Sequence, residues 1–208
     1  MLPSTLLADG MGSIFLLGGI AVVVLLPIWW VIAVYNCIRK QQVRAQNAFS
    51  QIDVQLKRRC DLIPNLVEIV KGYMAHERST LEAVVEARAK AASALTAVGG
   101  VPTSVGAMSA LAGASGALDH AMGRLFGLME AYPELKANQN ALALQEELSS
   151  TENRIAFARQ GFNDSVMRLN ESIVVFPSSL VAKCFGMPTM GMFEADAADR
   201  ALPSVKLS

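Results

Sequence analysis

The feature that most limits what this chain can become is a run without charge. No Asp, Glu, Lys or Arg occurs between Asp9 and Arg39, and Ile14 to Tyr35 reads IFLLGGIAVVVLLPIWWVIAVY. About 20 apolar residues in a helix cross the hydrocarbon core of a bilayer. A cleaved signal peptide needs a basic n-region, a shorter apolar core and a small-residue cleavage site. Here the n-region carries Asp9 and no Lys or Arg, so the run reads as an uncleaved anchor over residues 14–38, after a short segment 1–13. Pro27 is tolerated inside such a helix, and Trp29, Trp30 and Tyr35 suit its interface. Arg39, Lys40 and Arg44 flank the C-terminal side only. The positive-inside rule then places the N-terminus outside and residues 39–177 in the cytoplasm.

The rest is a helical reading. From Arg39 to Cys60 there is neither Gly nor Pro, so the membrane helix should run on as one rod. Asp61 is placed to cap the next helix, with Pro64 in its first turn. Leu62, Leu66, Ile69, Tyr73, Leu81, Val84, Ala91 and Leu95 recur at helical spacing, predicting one helix over Leu62–Ala97. Val98–Gly106 is a loop by composition. Ala107–Ala131 is helical again, ended by Tyr132-Pro133. Glu134–Phe176 predicts the longest element, its apolar seam from Leu144 to Phe176 stepping by three or four, near coiled-coil spacing. Elements this long with short links imply an all-α fold, an elongated antiparallel bundle. Residues 178–208 read as a C-terminal tail, ordered in part, whose apolar residues could dock on the bundle or a neighbour.

Chemistry is sparse. Lys+Arg and Asp+Glu are 18 each, so no basic excess points to nucleic acid. Three distant cysteines form neither a disulfide framework nor a zinc pattern. His76-Glu77 opens like HExxH, but Thr80 stands where the second histidine is needed. No phosphate loop or nucleophile elbow occurs. No cofactor or metal is expected. The candidates are polar side chains of two stretches, with a structural or interaction role: Asp53, Lys57, Arg58, Arg59, Asp61, Asn65 and Glu68 on one, Glu147, Glu152, Asn153, Arg154, Arg159, Asn163 and Asp164 on the other. They read as inter-helix bonds that set register, or as a polar groove for a peptide or subunit.

Two stretches carry a resemblance. IDVQLKRRCDLIPNLVEIVKGYMAHE (Ile52–Glu77), EAYPELKAN (Glu130–Asn138), LQEELSSTENRIAFARQGFND (Leu144–Asp164) and Phe176-Pro177 resemble the LemA family. So does the order of anchor, Tyr35-Asn36 and domain. Cys60 stands where an aromatic is common, and Phe162 replaces a usual tyrosine. The resemblance covers about Tyr35 to Phe193 and implies a bacterial, single-pass inner-membrane protein with an elongated helical bundle. It supplies no reaction. It associates the family with HtpX-like membrane peptidases and TPM-domain proteins. The expected function is therefore a non-enzymatic, self-associating membrane scaffold or adaptor. The alternative is an enzyme, a hydrolase or a metal-dependent activity, using carboxylates near Glu147 and Glu152.

Overall fold

The computed structural model describes residues 4–193 except 75, 100, 101 and 103, with side chains from residue 18 onward. Six helices and no strand occur among the described residues: α1 Ser4–Tyr73, α2 Arg78–Val98, α3 Val105–Met129, α4 Pro133–Lys136, α5 Gln139–Val174 and α6 Ser178–Cys184. The expected all-α class and N-terminal apolar helix are both present.

The longest element is α1, at 70 residues. At 1.5 Å per residue it reaches about 105 Å. It passes through Pro27 and Pro64 without a break. Two helix boundaries therefore depart from expectation. Asp61 caps nothing, and α1 ends at Tyr73, before α2 begins at Arg78. The reason is the apolar stripe. Ala45, Phe49, Ile52 and Leu56 are buried along α1, and Cys60, Ile63, Leu66 and Val70 continue the same face. Ending the helix at Asp61 would take the second group off the core. Proline in a helix interior removes the N–H that would bond to the carbonyl four residues back, at a cost near 3 kcal/mol. That carbonyl is Cys60 O, and it accepts a bond from Arg88 Nε of α2 at 2.9 Å. The orphaned acceptor is thus satisfied from a neighbouring helix.

A further departure concerns α5, which starts at Gln139 rather than Glu134. Asn138 Oδ1 accepts from the backbone N–H groups of Asn140 and Ala141, an N-cap that ends the short α4 and opens α5. At 36 residues, α5 is about half the length of α1.

The helices pair as α1 with α5 and α2 with α3. Tyr73 Oη accepts from Asn138 Nδ2, Arg58 meets Glu147, and Ser172 Oγ donates to Gln41 Oε1. Residues rise on one helix as they fall on the other, so α1 and α5 are antiparallel. From residue 18 onward, Ile38 is the first buried residue of α1. From Ile38 to Tyr73 α1 is as long as α5, and this part belongs to the bundle. Residues 18–29 are exposed throughout, and α1 carries at this end an apolar stretch long enough to cross a membrane.

The core forms two clusters along the rod. One gathers Ile38, Phe49, Ile52, Leu56, Phe162, Val166 and Leu169 with Met190 and Phe193. The other gathers Ile63, Leu66, Val70, Val84, Leu118, Leu125 and Leu148. The segment after α6 is part of this packing. At Gly191 an added Cβ would lie 2.9 Å from the Val105 Cα, so the chain crosses the start of α3 in direct backbone contact. Residues 194–208 of the expected tail lie outside the described residues. Between α2 and α3, Gly99 takes φ +63°, a left-handed C-cap that suits glycine.

Candidate functional site

The polar side chains sort into a seam inside the bundle and a trough on its surface. The seam centres on Arg59, which is 2 % exposed. It falls on the buried stripe of α1, between Leu56 and Ile63. Its Nη2 donates to Glu152 Oε2 of α5 at 3.0 Å, and its Nη1 donates to Asp119 Oδ1 of α3. A buried cation is tolerable only when paired, and here two helices supply the counter-charge. Arg58, one residue earlier, points outward. Its Nε and Nη2 both donate to Glu147 Oε1. Lys57 pairs within α1 with Asp53 at 2.7 Å.

Cys60 lies beside this seam. Burial pushes its thiol pKa up, and the nearby Arg88 and Arg59 only partly oppose that. A thiol held protonated is a poor nucleophile.

A third polar group holds the chain end. Asn163 Nδ2 donates to Phe193 O at 2.9 Å, and Phe193 N donates back to Asn163 Oδ1 at 2.8 Å. Asn170 makes the same pair of bonds with Met190, at 2.9 and 2.8 Å. Two asparagines two helical turns apart thereby grip an extended strand of chain, each imitating one rung of a ladder. The Arg159 guanidinium covers the Phe193 ring at 4.4 Å.

The trough lies between α1 and α5. Gln51 and Gln55 form one edge; Leu142, Gln145, Glu146, Ser149, Ser150, Asn153, Arg154, Phe157 and Ala158 form the other. Its volume is about 1210 Å³. Phe157 stands 82 % exposed within it.

The expected residues are thus divided. Arg58, Arg59, Glu147 and Glu152 meet across α1 and α5. Asn153 and Arg154 line the trough. Arg159 and Asn163 hold the chain end. Asp61, Asn65, Glu68 and Asp164 are exposed and do not face α5 as a polar partner row. Asp119, Arg88 and the clamp by Asn170 were not among the candidates. Asp119 is a lone acid in a glycine-rich helix, and only tertiary packing reveals its partner. Arg88 had one clue, a proline in the middle of a continuous apolar stripe. Among the described residues no three His, Cys, Asp or Glu gather as metal ligands, and His76 and His120 are both exposed.

The sequence profile of the LemA family matches residues 48–207. The chain belongs to the LemA family. A relative named Protein LemA, from Metamycoplasma hominis, is 26% identical over 165 residues, covering 79% of this chain and 71% of its own. The LemA match starts in α1 beyond the apolar run and takes in the seam, the trough and the asparagine clamps. The apolar part of α1 falls outside it.

Proposed function

We propose that this LemA-family chain is a membrane-anchored scaffold that binds protein partners along the outer face of α5. One observation carries the reading: a single uninterrupted helix bears both the exposed apolar run and the core stripe of the bundle. A partner held on the bundle is then held at a set height above the bilayer. Glu147 and Glu152, the carboxylates that a hydrolase would use, are each committed to an arginine, which favours binding over catalysis. The trough, with an exposed Phe157 among amides and Arg154, has the mixed character of a protein-binding surface. Second copies of the chain are the first candidates, with peptidases of the HtpX-like class or TPM-domain proteins next. The basic residues after the apolar run support a bundle on the cytoplasmic side of a bacterial inner membrane.

The test is the mass of the detergent-solubilised full chain by light scattering, with co-purifying proteins identified alongside. A discrete multimer or a stoichiometric partner, lost in Phe157→Asp, is expected. A monomer with nothing bound, unchanged by Phe157→Asp, overturns the scaffold. Arg59→Glu is unsuitable for this purpose, because it places a third acid among Asp119 and Glu152 inside the bundle.

A further inference from the structure

We infer that the end of the bundle formed by the α5–α6 corner is a second membrane contact, inserting apolar side chains into the boundary between headgroups and acyl chains of the bilayer that α1 crosses. The inference rests on the membrane-spanning reading of α1.

The corner carries an unusual surface. Val174, Val175, Phe176, Leu180 and Phe185 are all exposed, Phe176 to 74 % and Val174 to 69 %. They fall within twelve residues of sequence, although large exposed side chains elsewhere in the bundle are scattered. Contiguous apolar surface of this kind marks a contact. Inward-facing Val181 and Ala182 are buried against the bundle, so α6 is amphipathic and its apolar outer side is left over after packing.

Position names the occupant. Ser172 of α5 bonds to Gln41 of α1, and the two helices are antiparallel. Four residues beyond Ser172, Phe176 is therefore level with α1 near Cys37, within one turn of the end of the apolar run. The Phe185 ring meets the Tyr35 ring directly, with centroids 4.9 Å apart. Tyr35 is the last residue of the apolar run. The exposed corner thus lies at the height where α1 leaves hydrocarbon, and its surface is continuous with that of the anchor. Cations stand at the same level: Arg39 and Lys40 on α1, Lys183 on α6, all exposed. Apolar side chains ringed by Lys and Arg at one height match the chemistry of an interfacial element. A bundle touching the bilayer at both α1 and the corner is restrained in tilt, which one spanning helix alone does not achieve.

Fluorescence quenching by lipids brominated at shallow acyl positions tests this on the full chain in phosphatidylcholine vesicles. Trp29 and Trp30 of the unaltered chain report insertion of α1. Leu180→Trp, and separately Phe176→Trp, in a chain carrying Trp29→Phe and Trp30→Phe, report the corner. Phe157→Trp in the same background is the reference away from the membrane. The expected result is that tryptophan at 180 or 176 loses most of its emission and tryptophan at 157 loses none. Native Trp29 and Trp30 quenched, with both corner tryptophans unquenched, overturns the second contact and leaves the anchor standing. A corner covered by a second copy gives that same pattern. Trp29 and Trp30 unquenched removes the anchor, and the inference with it. Far-UV circular dichroism identifies any variant that has lost its helices. Phe176→Trp keeps an exposed aromatic in place if Leu180→Trp does not fold.

Discussion

Arg59 shows how one residue can tie a bundle together. Its side chain is almost wholly out of water, whereas Asp119 and Glu152 are 29% and 50% exposed. The two ends of the interaction are therefore unequal. Deleting the acids leaves a buried guanidinium without counter-charge; deleting the cation leaves carboxylates that water can reach. Asp119→Asn with Glu152→Gln should cost about 3–5 kcal/mol. Arg59→Met, which fills much of the same volume with apolar atoms, should cost no more than about 1 kcal/mol. Thermal unfolding of both variants, followed by circular dichroism, measures the contrast. Equal losses would overturn the asymmetry between the buried cation and its hydrated acids. Arg58 and Glu147 differ in kind: both are substantially exposed, and an exposed pair contributes about 0–1 kcal/mol. Two adjacent arginines, indistinguishable by composition, thus differ several-fold in what they stabilise. Helical phase decides which is which, since position 59 falls on the buried stripe and position 58 beside it.

At the scale of elements, the last described segment, 185–193, matters most. Alone it is too short and irregular to hold a shape. It is held by the two asparagine clamps, by Met190 and Phe193 in the core, and by the close crossing at Gly191. Asn163→Ala and Asn170→Ala each remove two bonds from part-buried backbone, and each should cost about 1–3 kcal/mol. Because both grip the same segment, the double variant should cost less than their sum. A double-mutant cycle read by chemical denaturation shows this as a coupling term. Strict additivity would mean that the two clamps hold independent pieces. Gly191→Ala should act through the same contact, since its methyl would meet the α3 backbone and overpacking costs about 1–3 kcal/mol. The element-level error at Asp61 has a similar source. Asp followed by Pro three residues later is a sound helix-start pattern, but it competes with a buried stripe that continues in phase. Burial of Ile63, Leu66 and Val70 outweighs one missing hydrogen bond, and Arg88 supplies the carbonyl with another donor.

On the scale of the whole molecule, the design is a helical rod continued from an exposed apolar helix. From Tyr35 to Tyr73, α1 climbs about 57 Å at 1.5 Å per residue, with no Gly or Pro hinge before Pro64. The far tip of the bundle should stand roughly that far from the bilayer. Energy transfer from a fluorophore at His76→Cys, in a chain with the native cysteines replaced, to acceptor-labelled lipid should report a distance of that order. A much shorter distance would mean that the bundle lies along the membrane. The α5–α6 corner bears on the same question, because two contacts with the bilayer fix an orientation that one helix leaves free.

The one-dimensional pattern carried the all-α class, an N-terminal helix apolar enough to span a membrane, the α3 span to within two residues and the family signature. Each depends on hydrophobic spacing or on runs of local sequence, and these exist before the chain folds. Which polar residues meet was decided only by tertiary structure. Arg59 finds Asp119 sixty residues away, Pro64 is rescued by Arg88, and Asn163 and Asn170 bind the segment after α6. Such pairings depend on how helices of differing length and phase come to lie side by side. No local rule encodes that, because the energy that selects it belongs to the packed core.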